Sequence, residues 1–414
     1  MAIFNSLGSN YSWQDAIICT RELIFPDQSA KKKLKKLLAT KFQGKAVLLF
    51  NGRDAIEYCL QSYGIGSGDS VLTQAFSCSS LEESINRVGA RAVYFDLAQN
   101  SLYSTINQVE KTYQNAKNPK AIILQHTLGY SDEVQKIAQF CKHNRVILIE
   151  DLAQAVGAVD NQNKQLGKYA DAVILSFGKD KILDGVSGGA VIFKDSLKVK
   201  PKLLELENWF VLKNDWSNKI KVVKLLFYPT ITLLIRASYD FYIGKIFHWL
   251  LKKAKILETQ IKSPHHHYQS FPAYFAPLVL KRLNTLDKQL VHRTSIALIY
   301  WQELHSQKRI TLPITKKKIK QGTNLRFPVI LNTPKEVKQL LKLLGKNKIY
   351  LYDRWYKKAV DSGTFDFNSS YQTGSCPNAE HFSKLIINLP THAQISKESA
   401  KKIANLVKQY LSHD

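Results

Sequence analysis

Along the first half of the chain, apolar residues come in short continuous runs, each closed by a turn or a polar residue. Ala46–Phe50 (AVLLF), residues 89–97 (GARAVYFDL), Ala121–Gly129 (AIILQHTLG), Val146–Ile149 and Ala172–Leu175 all have strand length, and a Gly188-Gly189 pair opens another run ending at Phe193. Unbroken apolar runs of this length mark strands covered on both faces. Between them the spacing changes to a helical period. Ile56–Tyr63 follows the first run, and Val134, Ile137, Ala138 and Cys141 share one face of a helix over 132–144. Alternating strands and helices from residue 46 to 195 predict a mainly parallel sheet flanked by helices.

The C-terminal part alternates again on a smaller scale. One helix is expected over Ala276–Trp301, a strand in NLRFPVIL (Asn324–Leu331) and a helix over Pro334–Leu344. The expected division is an N-terminal arm (1–45), a large domain (46–200), an insertion (201–268) and a small C-terminal α/β domain (269–414). Within the arm, Lys31-Lys32-Lys33-Leu34-Lys35-Lys36 reads as a solvated helix face.

Charge alters the picture in one region. The 414 residues carry 59 Lys plus Arg against 33 Asp plus Glu, a net charge of +26. Such an excess points to acidic partners: a membrane surface, nucleotide phosphates or nucleic acid. No nucleic-acid module accompanies it, so nucleic acid is not expected. Residues 201–262 hold 11 basic and 5 acidic residues together with two apolar runs, Leu225–Ile235 and Tyr239–Leu257. Neither run reaches the roughly 18 residues that cross a bilayer. On a helix, Ile243, Ile246, Phe247, Leu250, Ala254 and Leu257 share one face, opposite Lys245, His248, Lys252 and Lys255. A basic amphipathic helix of this kind suits a membrane surface; a cap on the protein's own core or on a partner subunit is the alternative. The five cysteines are scattered without a CxxC pair, and His265-His266-His267 has no spaced co-ligands, so no disulfide framework or metal site is expected. A start without a basic segment leading into an apolar core fits a cytoplasmic protein.

The candidate chemistry gathers between Ile147 and Phe193. Asp151 ends one apolar run, Ser176 ends the next, and Lys181 follows five residues later. In an open α/β sheet, ligands bind beyond the carboxyl ends of the strands, so these three should converge. A carboxylate can hold a ring nitrogen protonated, a hydroxyl can bind phosphate, and a lysine can form a Schiff base with an aldehyde. Together they describe a pyridoxal 5'-phosphate (PLP) site.

The order IEDLAQAVGA, then SFGKDK, then GGA resembles the DegT/DnrJ/EryC1/StrS sugar aminotransferases, a branch of the fold-type-I PLP enzymes. Cys376–Ser396, with Pro377, Glu380, Leu389, Pro390 and His392, is similar to a C-terminal motif of that family. The resemblance implies a mixed, mainly parallel seven-stranded sheet in the large domain, a small C-terminal α/β domain and a homodimer. It implies that Asp151 meets the pyridinium nitrogen, Gln154 the ring hydroxyl and Ser176 the phosphate, and that Lys181 carries the cofactor and shuttles the proton. The turn Asn51-Gly52-Arg53 stands where the family's phosphate-holding turn lies, with Arg53 replacing a small hydroxyl residue; a plain helix cap is the other reading. Cys78 takes the place of a ring-stacking aromatic, and a buried structural cysteine is equally consistent. His126 is a substrate or cofactor contact or a structural histidine, and Arg354 an anion contact or a surface arginine. The family's Asn-containing motif before the small domain is absent, and no residue is assigned to it. The implied reaction is transamination of a keto sugar, nucleotide-linked, with glutamate as donor, for surface polysaccharide or glycolipid. The rivals are another PLP reaction on the same fold and a non-catalytic homologue that binds a membrane or polyanion. Retention of Lys181 argues against those dehydratases that replace this lysine by histidine.

Overall fold

A computed structural model describes residues 2–194, 216–254, 257, 270–351, 353–363 and 367–412. Its strands are β1 Ile3–Phe4, β2 Lys45–Leu49, β3 Ser70–Gln74, β4 Ser77–Cys78, β5 Arg91–Phe95, β6 Pro119–Gln125, β7 Ile147–Asp151, β8 Ala172–Ser176 and β9 Gly189–Phe193. Later in the chain come β10 Ile310–Thr311, β11 Arg326–Leu331, β12 Ile349–Tyr350, β13 Val360–Asp361 and β14 Ile386–Pro390.

Seven strands form the main sheet in the order β2-β9-β8-β7-β6-β3-β5. Six run in one direction; β9 is antiparallel to both its neighbours. The expected mixed, mainly parallel sheet of seven strands is therefore present. Its apolar runs are continuous because both faces are covered. Leu48, Ile122, Leu124, Leu148, Val173, Leu175 and Ile192 pack on one side with Leu34, Leu38, Phe42 and Ile137 from helices. Val47, Ile123, Ile149, Ile174 and Val191 pack on the other with Ala55, Cys59, Leu81 and Ile85. The pleat sends alternate residues to opposite faces, so every second residue serves each core. A third cluster fills the C-terminal part around the antiparallel sheet β10-β11-β14.

Two expectations need refining. The helix over Ala276–Trp301 is two helices, Ala276–Asn284 and Leu286–Leu304, broken at Thr285 (φ −107°, ψ 10°). The Thr285 hydroxyl donates to the Lys281 carbonyl at 2.8 Å and accepts from Gln289 Nε2 at 2.9 Å. The first 45 residues also do more than lead into the sheet. Ala30, Leu34, Leu38 and Phe42 of the helix Gln28–Phe42 are buried in the sheet's core while Lys32, Lys33 and Lys36 face solvent. In addition, β1 pairs in parallel with β12 near the other end of the chain.

In the insertion, the helices Trp216–Leu226, Tyr228–Ser238 and Ile243–Lys253 are described. Pro229 sits in the first turn of the second, where its missing N–H costs nothing. No helix among the described residues is long and apolar enough to cross a membrane. The histidine run 265–267 and Lys255 lie outside the described residues.

Candidate active site

The residues picked from the sequence meet at one edge of the main sheet. Asp151 and Ser176 end the neighbouring parallel strands β7 and β8. Asn51 and Gly52 leave β2, and His126 leaves β6, at the same edge. A parallel sheet puts all its strand exits on one side, which is why residues so far apart in sequence converge.

Two glycines allow the closest approaches. A Cβ on Gly189 would lie 2.5 Å from the Asn51 carbonyl oxygen and 2.8 Å from the Gly52 nitrogen, so only glycine lets β9 press against that turn. A Cβ on Gly52 would lie 3.3 Å from both Cβ and Oγ of Ser176. The start of the helix Gly52–Ser62 and the Ser176 hydroxyl thus form a small cradle, with the Gly178 N–H donating to Ser176 Oγ at 3.3 Å. A helix start beside a hydroxyl suits a phosphate, through backbone N–H groups and the helix dipole.

Asp151 is buried and accepts the Ala153 N–H at 2.9 Å. Burial pushes its pKa above the usual carboxylate value, opposed by that N–H and by the charges of Lys181 and His126. Lys181 is half-buried in the loop between β8 and β9, and desolvation lowers its pKa while Cys78 and Asp151 raise it. A desolvated lysine is an amine in waiting, neutral more readily than a surface one. Gln154 is held at both ends: Oε1 accepts the Leu128 N–H at 2.7 Å and Nε2 donates to the Tyr356 hydroxyl at 2.6 Å.

The other picked residues have defined surroundings. Cys78 lies on β4, paired with Asp361 of β13, within electrostatic range of Lys181 and Tyr356. The Arg53 guanidinium makes an ion pair with Glu83 at 3.1 Å, and Glu83 pairs with Arg87 at 2.6 Å. Arg53 therefore offers the cradle its backbone, while its side chain belongs to a buried charge cluster. His126 bonds through Nε2 to the buried Glu150 at 3.0 Å, a carboxylate that also accepts the Gly167 N–H. Arg354 donates to the carbonyl oxygens of Ile386 at 3.0 Å and Lys384 at 3.4 Å, bracing the start of β14.

Several residues at this edge were not anticipated. Trp355 lies against two cations, its ring centroid 4.7 Å from Lys181 Nζ and 4.1 Å from the Arg326 guanidinium. Tyr356 packs edge-on to Phe76 with ring centroids 5.5 Å apart. The lysine loop itself is shaped by the fully buried Asp184. Its carboxylate accepts the N–H groups of Asp180 (2.8 Å) and Val186 (3.1 Å), Asn10 Nδ2 (3.2 Å) and the Tyr11 hydroxyl. Asp180 and Val186 both have positive φ, 62° and 73°, conformations that Asp184 stabilises directly. Asn10 also donates to the Lys181 carbonyl at 3.3 Å. The Asp184-Gly185 turn signal was readable in sequence; nothing in the sequence tied Asn10 and Tyr11 to a loop more than 170 residues away.

This donor set fits PLP: a desolvated lysine, a buried carboxylate electrostatically coupled to it, and a glycine–serine cradle. Fold and site together define a fold-type-I PLP-dependent transferase. Residues 29–218 and 272–408 match the sequence profile of the DegT/DnrJ/EryC1/StrS aminotransferase family, and the chain belongs to that family. A GDP-perosamine synthase of Vibrio cholerae is 23% identical over 382 residues, 89% of this chain and 86% of that protein. A "Pleiotropic regulatory protein" of Geobacillus stearothermophilus is 35% identical over 152 residues, with the match spanning 40% of its length. The PLP form of the putative sugar aminotransferase Spr1654 from Streptococcus pneumoniae superposes with a TM-score of 0.73 at 18% identity, covering 97% of this chain and 96% of that one.

Proposed function

We propose that this protein transfers an amino group to a nucleotide-linked keto sugar, with glutamate as donor, as a cytoplasmic homodimer supplying surface polysaccharide or glycolipid synthesis. The observation carrying this reading is Lys181, desolvated and electrostatically coupled to buried Asp151 at the strand exits. Relatives named as a GDP-perosamine synthase and as aminotransferases of UDP- and dTDP-linked dehydro sugars support the substrate class.

When bound, PLP supplies an electron sink for a carbanion at the amino-bearing carbon. Asp151 would keep a proton on the pyridine nitrogen, which would strengthen that sink. Gln154 would orient the ring through its amide. Gly52, the Arg53 backbone and Ser176 would hold the phosphate. Lys181 Nζ would carry the proton on and off the reacting carbon, and its desolvation, which lowers its pKa, favours the neutral amine that such a role needs. His126 and Arg354 remain outer substrate candidates, and Cys78 lies within electrostatic range of Lys181.

The test is a screen of GDP-, UDP- and dTDP-linked keto sugars with glutamate, read as product mass and 2-oxoglutarate release. Failure of every keto sugar, alongside turnover of another amino acceptor, would move the reading to a different PLP reaction. A non-catalytic homologue is the second reading, favoured by one observation: Trp355 and Tyr356 lie against Lys181 and Gln154. Absence of turnover with any acceptor despite stable PLP binding would support it.

A further inference from the structure

The family match is interrupted between residues 219 and 271, and this interval holds an unusual surface. In the helix Ile243–Lys253, the apolar stripe expected to seek cover is turned to solvent: Ile243 is 67% exposed, Ile246 60% and Leu250 49%. Phe241, Tyr242 and Trp249 beside it are also exposed. Ile243, Ile246 and Leu250 therefore do not cap the protein's own core, whereas Leu257, beyond the helix on the expected face, is buried in it. The helix packs instead through its other side on Tyr228–Ser238, where buried Gly244 allows close contact: a Cβ there would lie 2.4 Å from the Ile235 carbonyl oxygen.

We propose that this face docks the protein on an anionic lipid surface, lying in the headgroup region without crossing the bilayer. Three observations choose that occupant. Residues 216–254 contain seven basic residues and one acidic residue, Asp240, which pairs with Lys348 at 3.5 Å. The lysines lie along aromatic rings: Lys245 is 4.3 Å from the Tyr242 ring and Lys253 is 5.2 Å from that of Trp249. Cations held beside Trp and Tyr, above an aliphatic stripe, match the chemistry of an acyl–headgroup boundary with anionic lipid. A second copy of the chain is the weaker occupant. A copy would bring the same seven basic residues and a single acidic one, Asp240, already paired with Lys348, so this segment offers its own lysines no free carboxylate across a two-fold contact. The helix Trp13–Ile24 packs on the first two helices of the insertion and exposes Trp13, Ile17 and Ile24 with Arg21.

The proposal rests on this surface alone and stands or falls apart from the keto-sugar reading. The full chain, purified with PLP, is sedimented with vesicles of phosphatidylcholine and of phosphatidylcholine–phosphatidylglycerol mixtures. Binding is expected only to the anionic vesicles, with a blue shift of Trp249 emission, and should weaken as salt is raised from about 0.1 M to about 1 M. The pair Ile246→Ser with Trp249→Ser should bind at least about tenfold more weakly. The triple variant Lys245→Glu, Lys252→Glu, Lys253→Glu should lose binding, and each variant should keep the wild-type urea midpoint. Absence of binding by the folded wild type overturns the proposal. So does equal binding to neutral vesicles, or an Ile246/Trp249 variant that keeps full affinity. A fall in sedimentation mass of that variant without lipid would assign the face to a second copy.

Discussion

Replacing Asp184 by asparagine removes one atom's worth of hydrogen-bond acceptance from the loop that carries Lys181. The carboxylate takes four donors: Tyr11 hydroxyl and Val186 N–H on Oδ1, Asn10 Nδ2 and Asp180 N–H on Oδ2. An amide has only one oxygen, so in either orientation its NH2 faces two of these donors. Each buried donor left without an acceptor costs about 1–3 kcal/mol. Relief of the carboxylate's burial, which raises its pKa, returns part of that. The net expectation is a loss of about 2–4 kcal/mol at neutral pH, against about 1 kcal/mol for Tyr11→Phe, which removes a single donor. Urea unfolding followed by circular dichroism measures both. Because Asp184 holds Asp180 and Val186 at positive φ on either side of Lys181, Asp184→Asn should also weaken PLP binding. A stability within about 0.5 kcal/mol of wild type, a change typical of an uninvolved position, would refute the reasoning. It would mean that the group is not a carboxylate accepting four bonds.

Trp355, with its ring centroid 4.7 Å from Lys181 Nζ, should report cofactor binding: PLP should quench tryptophan emission, and Trp355→Phe should lose most of that quenching. Gly52→Ala, whose Cβ would press on Ser176 at 3.3 Å, should weaken PLP about tenfold by equilibrium dialysis, with little change in the unfolding midpoint. His392 is buried with its pKa pushed down to about 3, against an ordinary 6.5. The unfolded chain therefore binds more protons between those values, and stability falls as pH drops through that window, by about 1.4 kcal/mol per unit. His392→Gln should shrink the stability difference between about pH 7 and pH 4 by about 3 kcal/mol, measured by urea unfolding. Asp180, raised to about 7 by burial and by Asp184, works the other way: its contribution is full below 3.8 and is lost as pH rises towards 7. The comparison of variant with wild type isolates His392 from it.

The main sheet was legible because its strands are buried on both faces and so appear as unbroken apolar runs. β7 through β9 fall within two residues of the expected runs, while β6 starts two residues early, at Pro119, and ends at Gln125, four short of the expected Gly129. The edge where Asp151, Ser176 and Lys181 meet followed from strand direction alone. The break at Thr285 was not legible, since Leu283, Leu286 and Leu290 carry a helical apolar spacing straight through it. The alternatives for Arg53 and His126 turned on partners that sequence spacing does not encode: Glu83 lies 30 residues beyond Arg53, and Glu150 on the strand next to β6. Asn10, Tyr11 and Trp355 reach the lysine loop through tertiary contacts between opposite ends of the chain. Periodicity, a local property, carries no trace of such contacts.

The central claim is that Lys181 is the PLP-bearing amine, and covalent trapping tests it most directly. Purified protein with PLP should show a visible absorption band, and borohydride should abolish it and leave pyridoxyl mass on the peptide containing Lys181. The Lys181→Ala protein should show neither band nor label. A label on another lysine, or PLP that washes from both proteins alike, would contradict the account.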